Sequence, residues 1–101
     1  MHCTRTIVHL GLALICFSAP PAAAQDPALG EAVYEEHCSG CHGEKISNPS
    51  NIFDLKQLKA DERPRFDRAL RDGKGQMPSW EGVLSPEDAE NVWAYIQLLA
   101  R

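Results

Sequence analysis

Apolar positions along the chain fall into four groups. Residues 7–17 are apolar apart from His9 and Gly11. Leu29, Val33 and Tyr34 form the second group, Phe66, Ala69 and Leu70 the third, and Val92, Trp93, Tyr95, Ile96 and Leu99 the last. The last three groups recur at the three- and four-residue spacing of amphipathic helices. Punctuating residues sharpen the bounds. Asp26 as N-cap and Pro27 at the first helical position predict a helix over 27–37, with Glu31, Glu35 and Glu36 on its polar side. Asp61 caps a helix over 62–72, in which Pro64 is tolerated in the first turn and Gly73 supplies a left-handed C-cap. Ser85, Pro86 and the acids Glu87 and Asp88 start a last helix that runs to about residue 100. Asp54 caps a short turn ending near Leu58, while residues 43–51 and 74–80 read as loops. Nothing alternates for a strand's length, and there is no repeat or low-complexity segment, so the fold class is all-α. Gly30, inside the first helix, costs about 1 kcal/mol relative to Ala; it is either tolerated or marks the close approach of another helix.

The first group has a different meaning. Residues 1–6 carry Arg5 and no acid, the apolar run follows, and the stretch up to Ala22-Ala23-Ala24 is rich in small residues and proline. That is the three-part layout of a secretory signal with cleavage after Ala24. The run is short of the ~20 apolar residues that a spanning helix needs. Cys16 lacks the small residues before it that a lipoprotein site uses. The expected organisation is a signal peptide over 1–24 and one domain over 25–101, with no membrane anchor after cleavage. Cys3 and Cys16 leave with the signal, so the domain keeps only Cys38 and Cys41. Export in a bacterium implies the periplasm.

Those two cysteines lie in Cys38-Ser39-Gly40-Cys41-His42, the C-x-x-C-H signature of c-type haem attachment. Each thiol can add to one vinyl group at the haem edge, the short Ser39-Gly40 link lets both sulfurs reach, and Gly40 permits a tight turn against the ring. His42 is then held under the iron as an axial ligand. A structural zinc site would need a second ligand pair, which the chain lacks. A thioredoxin-like motif would need a βαβ context, and a disulfide would leave His42 without a role. Met77 is the one methionine left after cleavage and sits in a loop beside Pro78, off any helical stripe. A core methionine is the ordinary alternative, but the loop setting favours Met77 as the second axial ligand. His37, the competing ligand, is tied to the attachment edge and reads as a partly exposed histidine at a helix end. A domain this small needs a staple, and covalently held haem can be one.

At these residues the chain resembles a small class I cytochrome c over residues 29–99. The likeness rests on Gly30-x-x-x-Tyr34, the C-x-x-C-H motif, Gly75-Gln76-Met77-Pro78 and Val92-Trp93-Ala94-Tyr95-Ile96. It implies that the first and last helices cross closely around one covalent haem c, with Gly30 at the crossing and Tyr34 packed against Val92 and Tyr95. It also implies a proline carbonyl accepting from the axial histidine; Pro49 is the candidate, although Ile46-Ser47-Asn48-Pro49 departs from the commoner Gly-Pro pair. A narrower resemblance covers Phe53-Asp54-Leu55-Lys56, Arg65-Phe66 and the stretch from Asp72 through Met77 to Trp80. It is to small cytochromes that accept electrons from periplasmic quinoprotein (PQQ-dependent) alcohol dehydrogenases. Terminal oxidases and nitrite reductases are other partners of such carriers.

Charge adds one thing. The net charge is −4, which argues against nucleic acid as partner. Residues 25–44 hold five acids and no base, whereas residues 45–74 hold eight bases against five acids. The uneven distribution points to a basic side that can meet an acidic redox partner. The function expected is that of a soluble, monomeric, periplasmic one-electron carrier with His/Met coordination and no enzymatic activity. The alternatives are a haem subunit of a larger redox complex and a ligand-binding haem sensor.

Overall fold

The structure is a computed structural model and describes residues 25–47 and 52–100. Its helices are α1 (Pro27–His37), α2 (Ser39–His42), α3 (Arg63–Asp72) and α4 (Pro86–Leu99), with single 3-10 turns at Glu44–Ile46, Leu55–Gln57 and Ala60–Glu62. Among the described residues there is no strand, only isolated bridges between Lys74 and Met77 and between Glu81 and Leu84. No described helix is long and apolar enough to cross a membrane. The signal-peptide reading falls on residues outside those described.

Local chemistry explains the starts. The Asp26 carboxylate accepts from the Ala28 and Leu29 amides at 2.9 and 3.3 Å. Ser85 and Asp88 form a reciprocal capping box at the head of α4, at 3.0 and 3.1 Å. The third helix departs from expectation. Glu62, not Asp61, is its cap residue, because Glu62 turns back to accept the Lys59 amide at 3.2 Å and the preceding residues close as a 3-10 turn. Gly73 does end α3, but with φ 74° and ψ 172° it is extended beyond the left-handed helical region, a conformation open essentially to glycine.

The main helix contact is between α1 and α4. Gly30 is buried at the crossing, where a Cβ would lie 1.9 Å from the Asn91 carbonyl oxygen. Gly30 therefore marks a close approach, as the family resemblance implied. Tyr34, Val92, Tyr95 and Ile96 fill the seam, with the two tyrosine rings 5.3 Å apart. Leu29, read as part of the apolar stripe, is 54% exposed: the face toward α4 is set by Gly30 and Tyr34, and Leu29 lies beside it. Asn91, a polar residue, is buried in the seam because its Oδ1 accepts the Asp26 amide at 2.9 Å and so ties the start of α1 to α4. Phe66 and Leu70 bring α3 onto the core, with Phe66 5.2 Å from the Trp93 ring. Arg63 lies over both of those rings while its guanidinium grips Glu90 and Asp67 at 2.7 Å each.

Candidate haem site

The attachment motif begins where α1 stops. The Cys38 amide bonds the Tyr34 carbonyl at 2.7 Å, and α2 then makes a single turn in which the His42 amide reaches Cys38 O at 2.9 Å. The Ser39 hydroxyl caps back onto the Glu35 carbonyl at 2.6 Å. Cys38 and Cys41 thus stand three apart on one helical turn, and so on one side of it. Both are free thiols, Cys38 half-buried against the core and Cys41 exposed. Burial first, then Cys41 and Glu35, push the Cys38 thiol up to about 11, so it is held neutral. A Cβ at Gly40 would meet nothing within 4 Å among the described residues, so the polypeptide turn alone does not require glycine, and the expectation that it clears the haem ring is a separate matter.

His42 is half-buried, and its Nδ1 is buried with no hydrogen-bond partner among the described residues. Desolvation lowers its pKa, opposed by the Phe53 backbone, so the ring is neutral and keeps a lone pair at neutral pH. A buried ring nitrogen without a partner is costly unless something is to occupy it. A neutral imidazole beside two free thiols is the donor set that fits a covalently attached haem. Pro49, the candidate acceptor for the ring, lies outside the described residues.

Met77 sits half-buried against the core in a loop stitched to the end of α3. Lys74 and Met77 exchange amide–carbonyl bonds at 3.0 Å each, and the Trp80 amide reaches Leu70 O at 2.7 Å. The Ser79 hydroxyl bonds the Arg71 carbonyl. Gly73 is needed under this loop, because a Cβ would come within 2.6 Å of Met77 O and 3.0 Å of Ser79 N. Trp80 then carries the loop across to α1, where its ring meets His37 edge-on at 5.3 Å. His37 is half-buried at the helix end, one residue before Cys38, so the Met77 loop and the attachment turn touch through this pair.

With that geometry in hand, the likenesses to known proteins are informative. Residues 25–96 match the family described as cytochrome c oxidase, cbb3-type, subunit III. Cytochrome c6 of Rippkaea orientalis is 33% identical over 82 residues, covering 76% of this chain and 74% of that protein. Cytochrome c6 of a Nostoc species is 30% identical over 97 residues, covering 90% and 87%. The chain belongs to the small monohaem class I c-type cytochromes. A more distant likeness is to the cbb3-type oxidase subunit FixP of a Bradyrhizobium species, 29% identical over 79% of this chain but only 30% of that protein. This cytochrome is an electron carrier, not an enzyme, and its cofactor is one covalently bound haem c.

Three features of the cytochrome were not singled out from sequence. Asn91 looked like an ordinary polar helix residue. Glu35, assigned to the polar side of α1, is half-buried, and its carboxylate accepts the Lys45 amide at 3.2 Å. Tyr34, expected only to pack, also donates its hydroxyl to the Gly43 carbonyl at 2.6 Å. Both bonds end on a turn in which Lys45 and the fully buried Ile46 have φ of 52° and 50°. Left-handed backbone costs roughly 1–2 kcal/mol for each non-glycine residue, so two in succession require such outside support.

Proposed function

We propose that this cytochrome is a soluble, exported, periplasmic carrier in which Cys38 and Cys41 bind the haem as thioethers and His42 and Met77 are the axial ligands. The observation that carries the reading is the Met77 loop: it is stitched to α3 and joined to the attachment turn through Trp80 and His37, as a distal-ligand strap must be. When bound, the haem supplies a reversible one-electron change at iron. The chain's part is to hold that iron from both sides, exclude other ligands and set the potential; a thioether from Met77 favours the reduced state over a harder ligand. Gly30, Tyr34, Tyr95 and Trp80 support the site by closing the helix seam and carrying the strap, and the Pro49 carbonyl is the proposed acceptor for the second His42 ring nitrogen.

A periplasmic quinoprotein alcohol dehydrogenase is the proposed donor and a terminal oxidase the proposed acceptor. The second reading, a haem subunit within a larger oxidase complex, draws on the matched family's description and the Bradyrhizobium relative. The oxidised absorption spectrum tests the ligation: wild type should have a weak far-red sulfur-to-iron band, and Met77→Ala should lose it and lower the potential. A wild-type protein without that band, or an unchanged Met77→Ala spectrum, refutes Met77. Mass of the mature protein tests export, with Gln25 expected first. Size-exclusion of the native extract separates free carrier from complex subunit.

A further inference from the structure

The turn after the attachment motif is conformationally expensive and sits next to the proximal ligand. Gly43 caps α2 at φ 86°, then Lys45 and Ile46 are both left-handed, and Ile46 is β-branched and has no exposed surface. A β-branched residue with positive φ is a genuine outlier, held only where its surroundings over-determine it. The restraints come from α1. The buried Tyr34 hydroxyl donates to Gly43 O at 2.6 Å. The Glu35 carboxylate accepts the Lys45 amide at 3.2 Å, and the Glu35 carbonyl accepts from Ser39 inside the motif. Two adjacent residues of α1 thus grip the chain on both sides of His42.

We propose that the Tyr34 hydroxyl and the Glu35 carboxylate form a positioning latch, which holds residues 43–46 in their left-handed turn and so sets how His42 presents its imidazole. The hydroxyl matters separately from the ring. The ring fills the seam with α4, whereas the hydroxyl holds Gly43, the residue directly after His42. This rests on His42 being the proximal ligand, since only then does the angle of the imidazole reach the iron's electronic state.

The test uses haem-loaded protein. Tyr34→Phe keeps the ring and removes the hydroxyl; Glu35→Ala removes the other grip. Both should shift the midpoint potential and the paramagnetically shifted His42 ring resonances of the ferric protein, with the far-red sulfur band retained. Lys45→Gly, at an exposed position where glycine suits the positive φ, should raise thermal stability and, combined with Glu35→Ala, bring the His42 resonances back toward wild type. Ser85→Ala, which removes the cap at the head of α4 and none of the bonds to residues 43–46, controls for general destabilisation and should leave those resonances in position. Wild-type potential and resonances in both Tyr34→Phe and Glu35→Ala overturn the latch, as does a Ser85→Ala shift of equal size. A wild-type protein without an iron-shifted His42 signature overturns the ligation reading and the latch together.

Discussion

Gly30→Ala is the substitution whose outcome the crossing of α1 and α4 determines most directly. On an isolated helix it would stabilise by about 1 kcal/mol. Here the new methyl carbon would fall 1.9 Å from the Asn91 carbonyl oxygen and 2.4 Å from its carbon, both backbone atoms. Ordinary contact begins at 3.4 Å, so the helices must part by on the order of 1.5 Å. Asn91 cannot yield alone, because its side chain is bonded to the Asp26 amide. A radial gap of about 0.5–1 Å already forfeits a quarter to a half of the dispersion well between facing atoms. Tyr34, Val92, Tyr95 and Ile96 line that seam, and each is worth roughly 1.5–3 kcal/mol when buried. Losing that share across four side chains costs about 2–5 kcal/mol, which exceeds the helix-propensity gain and leaves about 1–4 kcal/mol of net destabilisation. For a domain this size the melting temperature should fall by roughly 5–30 °C. Thermal unfolding of the holo-protein, followed by helical circular dichroism, measures it. A Gly30→Ala protein as stable as wild type, or more stable, would refute the close crossing.

Four further outcomes are expected. Cys38→Ala or Cys41→Ala should retain at most one thioether and give little folded protein, read by haem staining after denaturing electrophoresis; normal covalent haem and yield would contradict the attachment assignment. Arg63 and Gln25 hold the Glu90 carboxyl below its ordinary value, so its contribution is present above the unfolded pKa and lost as pH falls through the folded one; the stability gap between wild type and Glu90→Gln should therefore close below about pH 4 in acid denaturation. Ser85→Ala should cost about 1 kcal/mol in guanidinium unfolding, with the loss read in α4. Arg63, Arg65 and Arg71 are engaged in ion pairs, whereas Lys56 and Lys59 are in none among the described residues; reduction by the donor should slow with salt, and Lys56→Glu/Lys59→Glu should slow it at low salt, while indifference to both would remove that segment as a docking surface.

The parts legible in the sequence were those written in local codes. Asp26-Pro27 and Ser85-Pro86 carry their helix starts in adjacent residues, and the apolar spacing of Phe66 and Leu70 places α3 on the core. The C-x-x-C-H motif names its own chemistry. What escaped depends on partners distant in sequence. Asn91 becomes structural only when the Asp26 amide meets it across the seam, and Leu29 falls outside the seam only because Gly30 defines it. The grip of Tyr34 and Glu35 on residues 43–46 needs two left-handed residues that nothing in Lys45-Ile46 advertises, since neither type favours that conformation. Gly73 is legible as a helix stop, but its closeness to Met77 O depends on how the following loop folds back.

The seam between α1 and α4 also has a consequence in time. Its two halves come from opposite ends of the domain, so during synthesis the attachment motif emerges next to a first helix whose packing partner does not yet exist. Contacts this distant in sequence form only after a long loop has closed, and they reward the chain late. Tyr34 is therefore buried only once residues 92–96 arrive. Until then both thiols are open to chemistry. The order of events is written into the topology: the chain offers its cysteines while it is unfinished, and closing the last helix over the first completes the core beside them.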